Sequence, residues 1–218
     1  MERRCREILR RVPPQVTVLA AAKDRAPAEI RAALAAGIKH LGENYVQEAE
    51  RKRPLIPEKA TWHMIGRLQK NKAKRALEVF DWLQTLDSLE LAQKLEALLA
   101  PRGRTLPVLV QVNVGREPQK AGVLPEELPT LVEEIRKFPH LRLKGLMAIP
   151  PAPKDPEDSR PYFRAMAKLF REIKGELPPE EAEEFDTLSM GMSADWEVAV
   201  EEGATMIRLG TALFGPRL

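Results

Sequence analysis

Val16-Thr17-Val18-Leu19-Ala20-Ala21-Ala22-Lys23 is an apolar run with β-branched residues at its head and a lysine at its tail, and Pro27 opens a helical pattern just beyond it. Read as a buried strand feeding a helix, it predicts the first βα unit of a parallel sheet. It also predicts where a reactive amine lies. A lysine closing a buried strand keeps its stem against apolar walls and its amine at the rim, where desolvation lowers its pKa and favours attack on an aldehyde. The competing reading of Lys23 is a surface lysine that merely ends the strand.

The same alternation runs outward to the end of the chain. Strand-like runs are expected at 16–23, 38–41, 61–66, 81–86, 107–114, 141–149, 187–192 and 205–210. Helical patterns at 28–36, 45–52, 70–79, 88–99, 126–138, 161–174 and 194–202 separate them. Such alternation requires parallel strands, and eight βα units close most economically as a single (β/α)8 TIM barrel of α/β class. Little chain follows the eighth run, so an extra N-terminal helix at 2–11 is expected to cover the place of a full eighth helix. The rival open, doubly wound sheet of the dinucleotide-binding type calls for a G-x-G-x-x-G turn after an early strand, and the sequence has none.

At 218 residues and 44% hydrophobic content, the chain is expected to form one domain over 1–218. Its 35 basic and 32 acidic residues nearly cancel and do not cluster, which argues against a nucleic-acid partner and for a small molecule. Cys5 is the only cysteine, so no internal disulfide can form, and a reducing compartment is expected. No apolar stretch approaches a membrane span, and the N-terminus lacks the apolar core of a signal peptide, so the expected location is cytoplasmic. The proline-rich stretch 150–161 reads as a surface loop on the rim that carries the strand ends.

Several turns carry groups suited to chemistry. The seventh run ends Leu188-Ser189-Met190-Gly191-Met192-Ser193, with Ser193 at the N-cap of the next helix; the eighth ends Arg208-Leu209-Gly210-Thr211. Glycines admit close backbone approach, hydroxyls donate, and the loops after strands seven and eight of such a barrel are its usual phosphate cradle. Either turn alone reads equally well as ordinary capping. After the second run, Gly42-Glu43-Asn44-Tyr45-Val46-Gln47-Glu48 places a polar cluster beside Lys23; Asn44 suits a ring hydroxyl or, alternatively, caps the following helix. The third run leads into Gly66-Arg67-Leu68-Gln69-Lys70-Asn71-Lys72, where Gly66 permits close approach and Lys70, Lys72, Lys74 and Arg75 read as a solvated face. His40, His63 and His140 are widely separated, without metal-ligand spacing, and read as structural.

Together with Trp62-His63-Met64-Ile65 and Gly145-Leu146-Met147-Ala148-Ile149-Pro150, these segments and the C-terminal Arg208-Leu209-Gly210-Thr211-Ala212-Leu213-Phe214-Gly215 resemble, in order, the pyridoxal phosphate homeostasis protein family. The resemblance implies an alanine-racemase N-terminal-domain-like barrel that holds pyridoxal 5′-phosphate as a Schiff base on Lys23. It implies that Ser193, Gly210 and Thr211 hold the phosphate, that Arg208 faces the pyridine nitrogen, and that Asn44 and Met192 also belong to the cofactor-binding set. Two departures stand beside the lysine: Ala22 where the family often has serine, and Asp24-Arg25 in place of a commoner Thr-Lys.

An arginine at the ring nitrogen keeps it neutral and weakens the cofactor as an electron sink. Two functions of different class remain: a reversible carrier or regulator in intracellular pyridoxal phosphate homeostasis that is not an enzyme, and an amino-acid racemase. Racemisation needs a second acid–base group on the opposite ring face, and neither Tyr45 nor Tyr162 looks well placed for it. The carrier reading is preferred, with pyridoxal phosphate-dependent apo-enzymes as recipients and a monomer as the expected form. A protein-interaction barrel without ligand is the third reading. Lys120, on the same rim, is a candidate to receive cofactor in transit or else a solvated loop lysine.

Overall fold

The computed structural model describes residues 1–216; the remaining two positions of the expected 1–218 domain lie outside the described residues. Eight strands, β1 (Thr17–Ala21), β2 (His40–Glu43), β3 (Thr61–Met64), β4 (Trp82–Leu86), β5 (Leu106–Val112), β6 (Leu141–Ala148), β7 (Thr187–Ser189) and β8 (Met206–Leu209), pair in sequence order into a closed barrel. All pairings are parallel, and β8 closes on β1 with Leu19 opposite Arg208. The TIM barrel expected from the alternating pattern is the fold.

The helices are α1 (Glu2–Arg11), α2 (Pro27–Ala35), α3 (Val46–Lys52), α4 (Ala73–Val79), α5 (Leu89–Leu99), α6 (Leu128–Ile135), α7 (Arg160–Glu176), α8 (Pro179–Glu184), α9 (Trp196–Glu201) and α10 (Thr211–Phe214). Their starts follow local chemistry. Pro27 supplies a pre-set φ at the head of α2, and Ser88 Oγ accepts from Leu91 N–H to cap α5. The four-residue α10 stands where a full eighth helix was not expected, and α1 packs over it: buried Cys5 donates its thiol to Leu213 O at 3.9 Å. The acidic α8 buries no side chain and so showed no apolar period to read.

Most strands end earlier than their apolar runs, whereas β2 extends two residues beyond its run and β4 ends with it. β1 stops at Ala21, two residues before Lys23, and β7 stops at Ser189. The region 70–79 divides into a 3-10 turn, Lys70–Lys72, and α4. The proline-rich loop is not wholly extended: Asp155 caps a 3-10 turn, Pro156–Ser159, by accepting from Glu157 N–H. Most apolar burial lies between sheet and helices, at about 1.5–3 kcal/mol per large side chain. A separate small cluster of Leu19, Ile65 and Met206 is joined in the buried interior by the polar side chains His63, Gln84, Ser189 and Arg208.

Candidate functional site

Parallel strands bring their carboxyl ends to one rim, and the turns singled out in the sequence fall there because each directly follows its strand. Lys23 sits in a turn closed by Arg25 N–H donating to Ala22 O at 3.0 Å. The next residue, Asp24, has φ of 59°, a left-handed conformation that costs a non-glycine residue about 1–2 kcal/mol. Lys23 is half-buried, with its Nζ 5.5 Å from the centroid of the Tyr45 ring, a cation–π arrangement. The expected apolar wall is therefore an aromatic face on one side, and Tyr45, discounted from sequence, stands at the amine.

The turn is held from behind by α3. Lys52 Nζ donates to Ala22 O at 2.6 Å, to Glu43 Oε1 at 2.8 Å and to Glu48 Oε1 at 2.6 Å. Glu48 Oε1 also accepts from Asp24 N–H at 2.7 Å. All three side chains are buried, and burial pushes Glu43 up to about 7 against the pull of Lys52. Sequence reasoning passed over this cluster, although Glu48 and Lys52 are spaced i,i+4 on the helix that follows β2. The departure at Arg25 also has a role: its guanidinium donates to Gly215 O at 2.5 Å and lies over the Phe214 ring, tying the Lys23 turn to the end of α10.

On the neighbouring part of the rim, after β7 and β8, Ser193 does not cap α9. Asp195 is the N-cap residue; its carboxylate accepts from Met192 N–H at 2.8 Å and from Ser159 Oγ at 2.7 Å. Released from capping, Ser193 Oγ accepts from Gly210 N–H at 3.1 Å and Ala212 N–H at 3.0 Å. Two backbone amides thus hold one hydroxyl oxygen beside the exposed Thr211, which leaves the Ser193 hydroxyl proton and the Thr211 hydroxyl as donors suited to an anion. Space is open there: a Cβ built on Gly210 would meet only Ala21, at 3.7 Å or more. Gly191 and Gly66 serve packing rather than a ligand. A Cβ on Gly191, at φ 92°, would fall 2.5 Å from Ala199 Cβ, and one on Gly66 2.2 Å from Asn44 O.

Arg208 lies inside the barrel, 4% exposed, donating to Ser189 Oγ at 2.7 Å and Ala148 O at 2.8 Å. Burial pulls its pKa down to about 10, which leaves it a cation at neutral pH. Ser189 Oγ donates to Gln84 Oε1 at 2.7 Å, Gln84 Nε2 lies 3.0 Å from His63 Nδ1, and His63 Nε2 lies 3.0 Å from His40 Nδ1. Because an arginine only donates, the direction of the chain is set, and His63 carries its proton on Nε2. Burial lowers the pKa of both imidazoles, that of His63 well below its ordinary value. His63 is buried with both ring nitrogens engaged, and the structure brings it to His40, from which it is widely separated in sequence.

Asn44 does not cap α3, whose N-cap residue is Tyr45; it lines a cavity of about 150 Å³ with Tyr45, Gln47, Arg67 and Lys72. Lys70 and Arg75 pair with Glu90 and Glu50 on the exposed surface, as a solvated face should. Lys120 is half-buried, with its amine on Glu117 and on Pro150 O at 2.9 Å.

The family described as "Alanine racemase, N-terminal domain" matches residues 1–217. The pyridoxal phosphate homeostasis protein of Haemophilus influenzae is 42% identical over 205 residues, covering 93% of this chain and 85% of that protein. That of Aquifex aeolicus is 43% identical over 201 residues, covering 92% and 86%. Among solved structures, PipY of Synechococcus elongatus PCC7942 with PLP bound superposes with a TM-score of 0.88 at 36% identity, covering 98% of this chain and 99% of PipY. Alanine racemase of Clostridium difficile 630, at 17% identity and TM-score 0.74, shares the fold over 99% of this chain and 55% of its own.

Proposed function

Because the chain belongs to the pyridoxal phosphate homeostasis protein family, we propose that it binds pyridoxal 5′-phosphate reversibly on Lys23 and buffers or supplies it in the cytoplasm, without turning over a substrate. The observation that carries this reading is the shared rim: a half-buried lysine amine and, one strand away, the hydroxyls of Ser193, held in place by two backbone amides, and Thr211. The donor set fits the group. When bound, pyridoxal phosphate supplies an aldehyde that condenses reversibly with a primary amine. Ser193 accepts from Gly210 and Ala212 and so has its own proton to give to a phosphate oxygen; Thr211 adds a second hydroxyl. Asn44 and Met192 complete the proposed contact set.

Arg208 is fixed by Ser189 and Ala148 and can only donate, so toward a ring nitrogen it acts as a donor and leaves that nitrogen unprotonated. That is the wrong environment for strong electron withdrawal. Lys23 and Tyr45 lie against each other, whereas racemisation calls for an acid and a base across the ring. Carrier function, with delivery to apo-enzymes that need the cofactor, is therefore favoured over racemase activity.

The test is borohydride reduction of protein mixed with pyridoxal phosphate, followed by peptide mass mapping. A single phosphopyridoxyl adduct on Lys23, absent in Lys23→Ala, is expected. Adducts scattered over surface lysines would refute the anchor. Enzyme-like interconversion of alanine or serine enantiomers, lost in Lys23→Ala, would overturn the carrier reading.

A further inference from the structure

One buried ion cluster grips the main chain on both sides of Lys23. The carbonyl before it, Ala22 O, accepts from Lys52 Nζ at 2.6 Å, and the amide after it, Asp24 N–H, donates to Glu48 Oε1 at 2.7 Å. Lys52 is bound in turn to Glu43 at 2.8 Å and to Glu48 at 2.6 Å. Holding α3 on the barrel does not require this. Taking charges out of water costs several kcal/mol per ion, and apolar side chains of similar volume often replace such clusters with no loss of stability. Glu43 Oε2, moreover, has no hydrogen-bond partner among the described residues. The other clue is Asp24, at φ 59°. A non-glycine residue stays in that region only where its surroundings over-determine it, and the bonds from Glu48 and Lys52 add to the Arg25 N–H bond that closes this turn.

Resting on the reading that Lys23 captures pyridoxal phosphate, we propose that Glu48 and Lys52 are positioning residues for Lys23. They fix the peptide units before and after it so that its amine is presented at the rim, and Glu43 Oε1 is the further acceptor that keeps Lys52 in place. They act through the backbone and need not touch the cofactor. The gain is one of orientation: a pre-set amine has less freedom to lose when it bonds.

Glu48→Ala deletes the acceptor of Asp24 N–H but leaves Lys52 its bonds to Glu43 and Ala22; Glu48→Gln keeps an oxygen in place. Glu48→Ala is expected to bind pyridoxal phosphate at least tenfold more weakly and to lose the selectivity of borohydride trapping for Lys23. In cofactor-free protein, its Asp24 amide should exchange hydrogen at least tenfold faster. Glu48→Gln should stay within threefold of the wild type in both measurements. If Glu48→Ala captures cofactor at Lys23 with wild-type affinity, or its Asp24 amide exchanges no faster, the positioning role is refuted while capture by Lys23 stands. A wild type that forms no adduct at Lys23 removes the underlying reading and the positioning role together. Should Glu48→Ala fail to fold, the triple variant Glu43→Leu, Glu48→Leu, Lys52→Met restores burial without the bonds and is expected to show the same two losses.

Discussion

Ser193 shows how one side chain changes meaning between sequence and structure. As an N-cap it would serve its own helix; as built, it accepts from Gly210 and Ala212 and joins the β7 and β8 turns. Its hydroxyl matters to an anion and much less to a ring. Ser193→Ala should weaken pyridoxal phosphate binding about tenfold, roughly 1.4 kcal/mol, and leave the affinity for unphosphorylated pyridoxal unchanged; parallel absorbance titrations decide it. The rim position of Lys23 was legible because it ends an apolar run, and that of Ser193, Gly210 and Thr211 because they follow apolar runs; their contacts with a cofactor stand as proposals. The contact of Tyr45 with Lys23 was not legible: it depends on how the turns after β1 and β2 fold back on each other, which no periodicity encodes.

At the scale of elements, the barrel was legible because strand and helix patterns alternate without interruption, and the N-terminal helix because it precedes the first run. Boundaries were less so. Apolar character continues past most strands into buried turns that still bond to the next strand, as Ala22 N–H does to Gly42 O at 2.8 Å and Met190 N–H to Met206 O at 3.1 Å. The Glu43–Lys52–Glu48 cluster was hidden because charged residues on a surface helix ordinarily face water. Gly191 belongs to this scale, since its lack of a side chain lets α9 approach the strand end. Gly191→Ala adds a Cβ 2.5 Å from Ala199 Cβ at a φ of 92° and should cost about 2–4 kcal/mol, read as a lowered urea midpoint.

For the whole molecule, two buried groups pull stability in opposite directions with pH. His63 stays neutral in the fold, while its unfolded counterpart takes a proton as pH falls below 6.5, so its contribution drops with acid. Glu43 behaves in reverse. Its folded pKa is about 7 against 4.5, so the fold holds the extra proton between those values and its contribution is lost as pH rises through 7. Each slope is at most about 1.4 kcal/mol per pH unit. Between about pH 5 and 6.5 the Glu43 contribution therefore opposes that of His63 and of His40, whose pKa is also lowered. Glu43→Gln should steepen the acid-side decline, seen as urea midpoints that fall more with acid over that interval than the wild type's; an unchanged pH dependence would contradict it. The chain from Arg208 to His40 couples the molecule in another way. Arg208 donates at one end, His40 accepts at the other, and Ser189, Gln84 and His63 between them each accept from one side and donate to the other, so a single replacement strands a neighbour's proton or lone pair. Positions 40, 63, 84, 189 and 208, dispersed over nearly the whole gene, thus form one epistatic unit, in which the fitness of an allele at the barrel floor depends on the alleles already fixed near its mouth.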